Sequence, residues 1–153
     1  MINTTRRTLI SALLALPGMA LLLRPLLALA EWNIDAFTSP SVEKALAELF
    51  PGLPVTPAPA NTIRIGVESR IENGAVVPVK ISSDLEPVQS ITILVEKNPN
   101  PLVAHFELMP RCQGYVATRI KMAQPSDIIA VVRSGDRLYT ARRFVEVLKG
   151  GCG

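Results

Sequence analysis

Ile63-Arg64-Ile65-Gly66-Val67-Glu68 alternates apolar and polar side chains, the period of a strand with one face buried. Val77, Val79 and Ile81 repeat the pattern, and Ile91, Ile93 and Val95 repeat it again. Further β-rich runs cover Leu102 to Leu108, Tyr115 to Met122, Ile128 to Arg133 and Leu138 to Val147. Asn73-Gly74, Pro99-Asn100-Pro101, Gln113-Gly114 and Gly135-Asp136 separate them as turns. About seven short strands with a turn signal every ten residues or so predict an all-β fold. The expected architecture is an immunoglobulin-like antiparallel β-sandwich over residues 62–148.

Residues 31–61 precede that sandwich. Ser39 and Pro40 read as a helix start, and Val42, Ala45, Leu46 and Leu49 follow at helical spacing, so a short amphipathic helix is expected from about 40 to 49. Its apolar face fits either the sandwich or a partner. Pro51 ends it. Residues 51–60 hold four prolines, which predicts an extended connector and neither a helix nor a paired strand.

Residues 1–30 read as an export signal that is cleaved. Thr5-Arg6-Arg7-Thr8-Leu9-Ile10 sets Arg6 and Arg7 before an apolar run, the mark of a twin-arginine signal. Ala28-Leu29-Ala30 offers the small-x-small pattern cut after Ala30. Arg24 breaks the run, leaving it short for a span, so no membrane association is expected after cleavage. The signal holds three of the sixteen basic residues and none of the thirteen acidic ones. The remaining 123 residues therefore carry equal numbers of each, which predicts no nucleic-acid partner.

Residues 149–153, Lys149-Gly150-Gly151-Cys152-Gly153, read as a flexible arm. Gly150, Gly151 and Gly153 present no side chains to order it, and glycine is costly to fix. From Lys149 such an arm reaches roughly 13 to 17 Å at about 3.3 Å per residue. Cys152 on it has no neighbouring His, base or helix N-terminus, so its thiol makes a better attachment point than catalyst. No residue is expected to be catalytic. The bland alternative is a structural disulfide, the default for two cysteines in an exported chain. A Cys112–Cys152 bridge would close a 40-residue loop worth about 4 kcal/mol. A glycine-flanked tail anchors such a bridge poorly, so Cys112 stands as a possible redox partner in a transient bridge, or as a plain turn residue. Two other classes stay open, a periplasmic thiol-redox enzyme and a secreted binding module. The first would need an activated Cys152; the second leaves the glycine-flanked cysteine unexplained.

The tail Gly150-Gly151-Cys152-Gly153 resembles the carrier motif of the SoxY family, subunits of the periplasmic sulfur-oxidising (Sox) system. Glu72-Asn73-Gly74-Ala75-Val76-Val77-Pro78-Val79, Val95-Glu96-Lys97-Asn98-Pro99-Asn100-Pro101 and Thr118-Arg119-Ile120 are also similar to stretches of that family. The resemblance implies a tight heterodimer with a SoxZ-like β-sandwich subunit and sulfur intermediates bound covalently to Cys152. It implies that a haem enzyme joins thiosulfate to that thiol and that a hydrolytic enzyme removes the sulfone group. Two departures stand out: a single Gly153 follows the cysteine where the family usually has two glycines, and Cys112 occupies a turn where the family does not normally place a cysteine.

The remaining chemistry-bearing residues read as structural. His105 sits alone in an apolar strand, and no His, Cys or carboxylate cluster has metal-ligand spacing, so no metal and no cofactor is expected. Glu68, Glu72, Asp84 and Glu86 read as solvated surface near turns. Asn98-Pro99-Asn100-Pro101 reads as a rigid turn.

Overall fold

The computed structural model describes residues 33–151. The export signal with Arg6, Arg7 and Ala30, and the pair Cys152 and Gly153, lie outside the described residues. Two helices open the described chain, α1 (Ile34–Phe37) and α2 (Val42–Leu49), and nine strands follow. They are β1 (Val55–Pro57), β2 (Ile63–Gly66), β3 (Arg70–Asn73), β4 (Val77–Ser83) and β5 (Ser90–Val95). The last four are β6 (Leu102–Glu107), β7 (Tyr115–Ile120), β8 (Ser126–Ser134) and β9 (Arg137–Lys149).

Alternation builds two sheets. The larger runs β1-β9-β8-β5-β6, with β3 added on β9; the smaller runs β2-β4-β7. Val77, Val79 and Ile81 of β4 point inward against Ile91, Ile93, Ile128, Ala130 and Val132 of the facing sheet, all close to fully buried. This is the all-β sandwich expected from the strand pattern. The larger sheet is also covered outside. Leu94, Ile129, Val131 and Leu138 face Val42, Ala45, Leu46 and Phe50, so β5 is buried along its whole length. A strand covered on both faces loses its polar alternation, which is why Leu94 joins the apolar set. The apolar face of α2 thus packs on its own sandwich.

Three local features differ from the expectations. The cap of α2 is Ser41, whose Oγ accepts from the Lys44 N–H at 3.2 Å. Ser39 instead donates its hydroxyl to the Asp35 carbonyl at 2.6 Å, closing the one-turn helix α1. The proline-rich connector does pair: β1 lies parallel to β9. The Leu138 N–H donates to the Pro54 carbonyl and the Ala58 N–H to the Thr140 carbonyl. Even-numbered residues therefore face β9, and the missing N–H groups of Pro57 and Pro59 point away from it, as an edge strand tolerates. The third is β3, whose one buried residue, Ile71, leaves no alternation to read.

His105 fastens the helical layer to the large sheet. Its Nε2 lies 3.0 Å from Glu107 Oε1 and its Nδ1 2.8 Å from Thr92 Oγ1. A carboxylate only accepts, so Nε2 carries the hydrogen; in the neutral ring Nδ1 then accepts from the Thr92 hydroxyl. The ring also meets Phe50 edge to face at 5.6 Å. Thr92 is fully buried, so His105→Ala strands its hydroxyl. The expected loss is about 1–3 kcal/mol, read as a lower urea midpoint at unchanged slope.

Candidate functional site

The segment expected to be slack is seated on the body of the protein. Strand β9 continues to Lys149 beside β3, with Asn73 opposite Lys149. Three backbone hydrogen bonds then interlock around Gly74. Its N–H donates to the Lys149 carbonyl at 2.8 Å, and its carbonyl accepts from the Met122 N–H at 2.8 Å. The Met122 carbonyl accepts from the Gly151 N–H at 3.0 Å. Gly151 is buried. Residues 149–151 are thus hydrogen-bonded to the body of the protein, and Cys152 follows directly in sequence.

The glycines allow that seat by their lack of bulk. A Cβ on Gly151 would stand 2.5 Å from both N and Cα of Ala75, backbone atoms that cannot swing aside. One on Gly150 would overlap the Ala123 carbonyl oxygen, and one on Gly74 the Met122 carbonyl oxygen. At Gly74, Gly150 and Gly151 the missing side chain is what permits this close approach.

Cys112 lies elsewhere. It is exposed, in the loop before β7, and follows Arg111 at a left-handed φ of 75°. Its N–H donates to the Met109 carbonyl at 3.0 Å. It lines a cleft of about 960 Å³ with Arg64, Asp84, Arg111 and Tyr115. The seat of Gly151 is at Met122, past the other end of β7. The six residues of β7 alone span about 17 Å. β7 therefore lies between Cys112 and the seat of Gly151.

The acidic candidates are also dispersed. Arg64 donates to both carboxylate oxygens of Asp84, at 2.6 and 2.7 Å. That hydrogen bonding holds Asp84 below the usual carboxylate range and raises Arg64. Both side chains are more than half exposed, so solvent and salt screen the pair. Because the folded Asp84 pKa is depressed, its stabilisation is present above the unfolded value of about 3.9 and is lost as pH falls through the folded value. Asp84→Asn should leave the neutral-pH melting temperature nearly unchanged. It should flatten the loss of stability on acidification below about pH 4, as seen by thermal melts across pH. Glu68 and Glu72 line a separate surface recess with Arg70 and Leu148. Among the described residues no three His, Cys, Asp or Glu side chains converge, and no helix is long and apolar enough to cross a membrane.

A family model for the sulfur oxidation protein SoxY matches residues 49–152, from the end of α2 through Cys152. The chain belongs to the SoxY family. Its sandwich is similar to that of the sulfur carrier protein SoxY from Chlorobium limicola f thiosulfatophilum, with 34% identity and a TM-score of 0.64. The alignment covers 70% of this chain and 96% of that one. A search of curated proteins gave no match. The SoxY match includes Gly74, Met122, Gly150 and Gly151, all the residues of the seat. Gly74 and Met122 were missed as site residues in the sequence. Asn73-Gly74 carries the signal of an ordinary turn, and only the fold brings it against residue 151.

Proposed function

We propose that the chain is a covalent carrier of sulfur intermediates in thiosulfate oxidation, with Cys152 as the attachment point. Membership of the SoxY family supports the sulfur-oxidation role, and the observation that carries the attachment site is the glycine seat that ends immediately before Cys152. A carrier thiol gains from a fixed root, because its partners meet it at one end of the sandwich. Opening of the Gly151 hydrogen bond lengthens the arm when a partner site is deep.

Loading balances as Cys152–SH plus thiosulfate giving Cys152–S–S–SO₃⁻, a proton and two electrons. The electrons pass to the haem enzyme that the family resemblance implies. Attack of water on the sulfone sulfur then releases sulfate and leaves a persulfide on Cys152. The chain itself supplies the thiol and its presentation; partner enzymes supply the oxidation and the hydrolysis. The mature protein works in the periplasm after twin-arginine export and cleavage after Ala30, in a heterodimer with a SoxZ-like β-sandwich subunit. Supporting this reading, the signal motif and the tail motif stand at opposite ends of one SoxY-family chain.

The test is intact-mass measurement of the purified heterodimer after incubation with thiosulfate and its haem oxidant. The expected result is one thiosulfate-derived adduct per chain, removable by a thiol reductant. An unchanged mass with an active oxidant would overturn the proposal.

A further inference from the structure

Asn98 belongs to a segment that reads as a plain turn, yet it is nearly buried, at 8% exposure. Its carboxamide spans 23 residues of sequence to donate from Nδ2 to the Lys121 carbonyl at 2.9 Å. Its Oδ1 accepts from the Ala123 N–H, also at 2.9 Å. These are the backbone groups on either side of Met122. In an extended chain, successive residues direct their N–H and C=O groups to opposite sides. Met122 uses both of its groups on Gly74 and Gly151, and Lys121 and Ala123 turn theirs the other way, into Asn98. One planar amide thus stands in for the strand that residues 121–123 lack on that side.

We infer that Asn98 is the positioning residue of the carrier tail. It fixes residues 121–123, so that the Met122 carbonyl receives the Gly151 N–H and the Ala123 carbonyl lies against Gly150. The neighbouring turn is braced in the same way, with the Lys97 N–H on Ser126 Oγ at 3.0 Å and Gln124 Nε2 on the Lys97 carbonyl at 3.1 Å. Those bonds leave residues 121 and 123 untouched; among the described residues only the Asn98 side chain grips both sides of Met122. The geometry needs one donor and one acceptor on a short stem. Alanine supplies neither, and ionised aspartate sets a second acceptor against the Lys121 carbonyl. Protonated aspartic acid restores both, its O–H donating to Lys121 and its C=O accepting from Ala123. The functional consequence, a fixed origin for Cys152, rests on the carrier reading above.

The experiment is amide hydrogen exchange of the intact heterodimer, wild type against Asn98→Ala and Asn98→Asp, followed at Gly151 with Leu94 as a core reference. The wild type should protect Gly151. Asn98→Ala should speed Gly151 exchange, relative to its intrinsic rate, on the order of 10- to 100-fold with Leu94 unchanged. Asn98→Asp should behave likewise at neutral pH and regain protection as the pH falls towards and below about 4. An unprotected Gly151 in the wild type overturns the assignment. So does Gly151 protection within about twofold of wild type in folded Asn98→Ala. Failure of both variants to fold also overturns it, assigning Asn98 to the core instead. Thiosulfate loading of the same wild-type sample separates this claim from the carrier reading. No adduct with a released Gly151 in Asn98→Ala sinks the carrier reading alone. A normal adduct with unchanged protection sinks the clamp alone.

Discussion

Replacing Gly74 by valine should lower the unfolding free energy by about 1–3 kcal/mol and release the segment after Lys149. The new Cβ overlaps the Met122 carbonyl and would also lie 2.9 Å from Val147 Cγ1 and 3.0 Å from the Gly151 nitrogen. Two of these are backbone groups held by hydrogen bonds, so the strain is relieved mainly by moving Met122 and Gly151 apart. With a urea slope of about 1–3 kcal/mol/M for small domains, the midpoint should fall by on the order of 1 M. A second readout is local: trypsin should cut the Lys149–Gly150 bond in the variant far faster than in the wild type, where that bond lies in a seated segment. Gly135→Asn serves as the control. Gly135 has φ 61° with open space around it, and asparagine accepts that backbone region. Its midpoint and its tryptic pattern should stay near wild type. A Gly74→Val protein with wild-type stability and a resistant Lys149–Gly150 bond would contradict the interlock.

That interlock marks the limit of what the sequence displays. The inward rows of β2 and β4 are legible because each strand carries its own alternation, and β5 and β8 because each is a short β-rich apolar run between turn signals, both local properties. Strand β1 was hidden by its prolines, which forbid a central strand but not an edge whose unpaired positions face away from β9. Helix α1 is a single turn, too short to show a period. The contacts of the tail are hidden for another reason. Glycine is equally suited to slack chain and to tight contact, and only the neighbours distinguish the two. The neighbours of Gly150 and Gly151 are Ala123 and Ala75, remote in sequence. Asn98 was read as turn chemistry because the partners of its side chain are equally remote. Nor does the sequence show that Cys112 and the seat of Gly151 stand past opposite ends of β7.

Cys152→Ser should abolish covalent loading altogether, the largest functional effect expected of any single change. Serine keeps the size and the glycine context, but its hydroxyl is not a thiolate and forms no disulfide-type bond to thiosulfate. The seat ends at Gly151, so the variant should fold and melt as the wild type does. Cys112→Ser should load normally. Its exposed thiol lines the cleft with Arg64 and Asp84, before β7, whereas the seat of Gly151 lies past the other end of that strand.

Peptide mapping by mass spectrometry after incubation with thiosulfate and the haem oxidant decides the matter most directly. A reductant-labile adduct should appear on the peptide containing Cys152 in the wild type and in Cys112→Ser, and none in Cys152→Ser. An adduct on the Cys112 peptide, or one retained by Cys152→Ser, would contradict attachment at Cys152.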